Sequence, residues 1–155
     1  MKKLMTIILA LVLSVAAGAQ NAKTLYEEGK AFYDAEQYDK AVPKLRAAAD
    51  KGHRKAQYRL GMCYKEGYSV EKDRKKAFDL FLKSGKQVYD KAQYQLGRAY
   101  LKGKGVAADQ TKAKTWLKKA VNDEKHGQEI LDKIRKKASE GDEEAKTILA
   151  LLGKK

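Results

Sequence analysis

A single cysteine, Cys63, stands in a chain of 155 residues, so no internal disulfide framework holds the fold and packing must do so. One proline, and no stretch rich in serine or glycine, exclude long linkers and extended disorder. His53 and His126, the only two histidines, have no cysteine or acidic cluster at ligand spacing around them, so neither a metal site nor a cofactor is expected. Gly103-Lys104-Gly105 follows a helical pattern and lacks the lysine-hydroxyl ending of a phosphate loop, so it reads as a turn. No convergent set of acid, base and nucleophile is visible, and no catalytic residue is named. Acids are also scarce: 20 Asp and Glu stand against 34 Lys and Arg, giving a net charge of +14 that attracts anions.

Beyond the N-terminus no segment is apolar enough to span a bilayer, so no membrane span is expected in the mature chain. At the N-terminus, Lys2 and Lys3 precede an apolar run from Leu4 to Ala17 and then Ala17-Gly18-Ala19, which has the form of a secretory signal peptide cleaved after Ala19. The apolar stretch is short for a membrane-spanning helix, although an uncleaved anchor is the alternative. Gln20 stands where a lipoprotein would carry cysteine. The expected product is exported, to the periplasm or beyond. Removing the leader takes two lysines and no acids, leaving +12 of the +14.

What is present is a repeat. Ala56-Gln57-Tyr58-Arg59-Leu60-Gly61-Met62-Cys63-Tyr64 returns 36 positions later as Ala92-Gln93-Tyr94-Gln95-Leu96-Gly97-Arg98-Ala99-Tyr100, and a fixed period of this size marks a helical repeat array. Apolar residues at helical spacing predict helices over about 23–34, 39–49, 55–66, 73–84, 90–102 and 110–121, with two more over about 128–139 and 143–152. Asp73 and Asp109 stand where N-caps are needed, and Pro43 is expected in a first helical turn. The predicted fold is all-α, a right-handed α-solenoid of antiparallel helix pairs in one domain. Repeats fall at about 22–52, 53–88 and 89–124, and capping helices at about 126–152.

At these residues the chain resembles the Sel-one-like repeats, a tetratricopeptide variant with a longer turn inside each helix pair, as an exported bacterial member. Ala56-Gln57-Tyr58, Leu60-Gly61 and Tyr64, with their counterparts Ala92-Gln93-Tyr94, Leu96-Gly97 and Tyr100, match its first helix. Lys104-Gly105-Val106, Asp109, Lys112-Ala113, Trp116-Leu117 and Lys119-Ala120 match its turn and second helix. Repeat two departs at Tyr68-Ser69-Val70, where a further glycine is usual. The first pair reads as a plain tetratricopeptide unit. The resemblance implies a scaffold that binds another protein.

It also implies that the first helix of each pair lines a concave face. Counting from Gly29, Gly61 and Gly97 places Lys23, Lys55 and Lys91, then Tyr26, Tyr58 and Tyr94, then Lys30, Met62 and Arg98 on that face, with Tyr33, Lys65 and Lys102 further along. Ammonium and guanidinium groups between phenol rings suit an extended acidic segment of a partner protein, although the same residues serve equally as packing tyrosines and solvated lysines. The leading function is a non-enzymatic protein-binding adaptor. The alternative is a general binder of anionic envelope polymers through net charge, and no specific nucleic-acid partner is expected. A third reading, a hydrolase of penicillin-like substrates, rests on the Ser-x-x-Lys spacing of Ser69 and Lys72 alone. Oligomeric state is not legible.

Overall fold

The computed structural model describes residues 21–154, and the segment expected to act as a signal peptide lies outside them. Among these residues eight helices follow one another: α1 (21–34), α2 (Tyr38–Asp50), α3 (Arg54–Glu66), α4 (Arg74–Lys86), α5 (Asp90–Lys102), α6 (Gln110–Val121), α7 (Gly127–Ser139) and α8 (Glu143–Leu152). No strand occurs among the described residues. From α2 onward each helix packs on its neighbours in sequence, and α1 meets α2 where Gly29 faces Leu45, which gives a solenoid of helix pairs.

Local chemistry sets the helix ends. The carboxylates of Asp73, Asp109 and Asp142 accept the amides of Lys76 (2.9 Å), Lys112 (2.9 Å) and Ala145 (2.8 Å), satisfying donors that the first turn leaves without partners. His53 does the same for α3, its Nδ1 accepting the Ala56 amide at 3.3 Å. Gly67 and Gly103 close α3 and α5 in the left-handed region. Pro43 does not mark a first turn as expected. It lies inside α2 on an exposed position, where water can serve the carbonyl it leaves without a donor.

The extended turn is the same in both long repeats although the sequence differs. Gly105 adopts φ +79° and Ser69, which holds the equivalent place, adopts φ +51°. Serine therefore takes a glycine conformation at some strain.

The repeated glycines of α3 and α5 are explained by closeness. A Cβ on Gly61 would lie 2.7 Å from the Phe81 ring, and one on Gly97 would lie 2.5 Å from Leu117. Each marks where the first helix of a pair presses directly onto the second. Leu45, Leu60 and Cys63 form one buried cluster, Phe78, Phe81 and Leu96 a second, and Leu117, Ile134, Ile148 and Leu152 a third. Cys63 is fully buried, and burial pushes its thiol up to about 11, so it acts as a small core residue.

The repeated glutamines join one pair to the next. Buried Gln57 donates to the Ala49 carbonyl at the end of α2 (3.3 Å), and buried Gln93 donates to the Gly85 carbonyl at the end of α4 (3.2 Å). Each adds a side-chain donor from the next helix to a last-turn carbonyl that also accepts a backbone amide, from Gly52 to Ala49 O (2.9 Å) and from Val88 to Gly85 O (3.1 Å). Between the two, Ser84 donates its hydroxyl to Arg54 O (2.8 Å) and Gln87 donates to Gln57 Oε1 (2.8 Å).

Candidate functional site

Two cavities open along the first helices of the pairs. The first, of about 180 Å³, is floored by Ala77, Phe78, Phe81 and Ala99. Its rim carries six basic side chains, Lys65, Lys72, Arg74, Arg98, Lys102 and Lys104, against two carboxylates, Glu66 and Glu144. The second, of about 440 Å³, lies between the start of α5 and the face of α7, and its walls include Tyr58, Tyr94, Ile130 and Ile134 with Lys91, Lys133 and Asp90.

Of the residues expected on the concave face, Lys65, Arg98 and Lys102 meet in the first cavity, and Tyr58, Lys91 and Tyr94 in the second. The others do not join them. Tyr26 is a correction: it is only 5% exposed and stacks on His53 at 4.3 Å, so its ring packs rather than lining a groove. Tyr33 belongs to an aromatic group with Tyr38 and Tyr68, beneath the Arg59 guanidinium at 4.8 Å. Lys30 pairs with Asp34 at 2.8 Å, and Met62 packs against the second core cluster. Lys23 and Lys55 are exposed to solvent. Ser69 and Lys72 sit in the turn after α3, on exposed positions.

The first cavity already holds one carboxylate. Glu144, from the first turn of α8, takes a two-point hydrogen bond from Arg98 through Nε and Nη2 and a further ion pair from Lys102 Nζ at 2.5 Å. Its side chain is 11% exposed. Burial alone raises the carboxyl pKa, but the hydrogen bonds and charges of Arg98 and Lys102 together outweigh it and hold the group at about 2. Arg98 also lies over the Tyr94 ring at 5.7 Å. A guanidinium fork, an ammonium beside it and an adjacent ring are the elements of carboxylate recognition. Lys65 is paired with Glu66 at 2.6 Å.

Sequence reasoning missed Glu144, because it lies 46 positions from Arg98 in a cap outside the clear repeats. It also missed an acidic group around His126. Asp123, three positions before it, and Asp90, at the start of α5, bring ligand atoms within 4.8 Å of each other and of the imidazole. Asp123 was readable in the sequence as an i−3 neighbour. Asp90 was marked only by a break in the repeat, since its counterpart 36 positions earlier is Arg54.

Among the described residues no helix is long and apolar enough to cross a membrane. Residues 54–89 and 90–123 match the family model of the Sel1 repeat. Among solved structures, a Sel1 repeat protein from Oxalobacter formigenes is 32% identical with a TM-score of 0.59, covering 62% of this chain and 40% of that one. A protective antigen present in uropathogenic Escherichia coli strains and displaying an SLR fold is 28% identical with a TM-score of 0.66, covering 89% of this chain and 31% of that one. The chain thus spans well under half of either structure. No curated protein matches it.

Proposed function

We propose that this chain, which carries two Sel1 repeats, is a non-catalytic adaptor that binds an acidic, extended segment of another protein in the basic cavity between α3, α4 and α5. One observation carries the reading: the cavity combines a cationic rim and an apolar floor with a carboxylate held by Arg98 and Lys102. Side chains of this kind bind a carboxylate through charge-assisted bonds, and the floor of Phe78 and Phe81 adds contact area that charge alone does not supply. The family supports protein binding in general terms, and the acidic character of the partner rests on the cavity. Export through the segment before Gln20 forms part of the proposal, and the N-terminal sequence of the protein recovered from the envelope tests it.

The experiment measures binding of peptides that alternate acidic and apolar residues, by calorimetry at about 50 and about 300 mM salt, where screening differs by more than twofold in length. The adaptor reading expects binding that survives the higher salt in part and is lost in a Lys72→Glu/Arg74→Glu/Lys104→Glu variant, whose substituted positions are exposed. Binding that vanishes with salt and is equally strong for any polyanion supports instead a general binder of anionic polymers, which the net charge favours, +14 less the two lysines of the expected leader, or +12. Retention of peptide binding by the triple variant at both salt concentrations overturns the assignment to this cavity.

A further inference from the structure

We propose that Asp90, Asp123 and His126 bind a first-row divalent cation, with zinc the best match. Asp90 stands in the first turn of α5, where the helix dipole favours an acid, but the side chain is 95% buried by exposure of 5% and its Oδ2 has no hydrogen-bond partner. A buried carboxylate oxygen left without a donor is strongly unfavourable. That oxygen faces the other two candidate ligands. His126 Nδ1 lies 3.5 Å from Asp90 Oδ2 and 3.7 Å from Asp123 Oδ1, and ligand atoms from all three residues fall within 4.8 Å of one another.

These separations suit a single ion. With metal–nitrogen and metal–oxygen bonds of about 2.0–2.1 Å, adjacent ligands of a tetrahedral site stand about 3.4 Å apart. Two carboxylates and a neutral imidazole balance a divalent charge, and the mixed nitrogen and oxygen donors suit zinc better than calcium or magnesium, which prefer oxygen alone. Second contacts hold the ligands in place: Asp123 Oδ1 accepts the amides of Lys125 (3.1 Å) and His126 (2.8 Å), which fixes the turn and orients the carboxylate. Asp90 and His126 both line the second cavity, so the fourth position opens towards solvent or a ligand. A bound ion there ties the α6–α7 turn to the start of α5.

A purified chain without an affinity tag, stripped of metal and titrated with Zn2+ by calorimetry at neutral pH, provides the test. Expected are one zinc per chain, a rise in melting temperature of roughly 5–10 °C at a hundredfold excess over Kd, and weaker responses to Mg2+ and Ca2+. Asp90→Asn and His126→Gln should each weaken binding by about tenfold or more. His53→Asn should leave it unchanged, since His53 is engaged as a helix cap. In case a variant fails to fold, Co2+ bound to the unaltered chain should give visible absorption of a four-coordinate site and broaden the ring signals of His126. Absence of zinc binding, or broadening at His53 instead of His126, overturns the site.

Discussion

Replacing Glu144 by glutamine keeps the shape of the side chain and removes its charge. The carboxyl is held at about 2 in the fold against an ordinary 4.5, and each unit of depression corresponds to about 1.4 kcal/mol, so the charged form contributes at most about 3 kcal/mol. Lys102 is 39% exposed and water screens its share, so a loss of about 1–2 kcal/mol is expected at pH 7. The pH dependence follows from the sign. A carboxyl whose folded pKa is depressed stabilises fully above its unfolded value of 4.5 and loses that contribution as pH falls towards 2. Other carboxylates titrate in the same window, so the quantity to measure is the gap between wild type and Glu144→Gln, by urea unfolding at pH 7 and at pH 3. That gap should shrink to less than about half at pH 3. A gap below about 0.5 kcal/mol at pH 7, or one equally large at both pH values, refutes the reasoning. The same variant frees Arg98 and Lys102, so it should bind acidic peptides more tightly than the wild type does.

Gly97→Ala should destabilise by about 1–3 kcal/mol or more, because its Cβ would stand 2.5 Å from Leu117 Cγ and 3.2 Å from the Leu117 amide nitrogen; urea unfolding reads the loss directly. Ser69→Gly should stabilise by about 0.5 kcal/mol, since it relieves a positive φ of 51° against a smaller gain in unfolded-chain entropy. A shift in its melting temperature of the opposite sign would show that the Ser69 side chain makes a favourable contact that outweighs the strain.

The helices were legible because a local pattern defines them: the Ala-Gln-Tyr and Leu-Gly segments recur at fixed spacing, and Asp73 and Asp109 mark helix starts by a bond only three residues long. Pro43 was misplaced because its exposed position tolerates a missing donor that a buried turn would not. The candidate site was legible only in part. Lys65, Arg98 and Lys102 follow from the repeat register, but Glu144 reaches them from a cap that does not share it, and Asp90 meets His126 across 36 residues. Tyr26 carried the same pattern as Tyr58 and Tyr94, yet His53 stacks on its ring, and no count along a helix records what stands in front of a side chain.

The bonds from Gln57 to Ala49 O and from Gln93 to Gly85 O have an evolutionary consequence. Each junction includes a bond from one glutamine to the terminus just before it, so a duplicated segment of residues 54–89 spliced ahead of Asp90 would bring its own donor to Gly85 and offer its own carbonyl to Gln93. The array can therefore lengthen by copying one unit without redesign of either neighbour. The cap of α7 and α8, with its Glu144, would travel outward and stay fastened to the last copy.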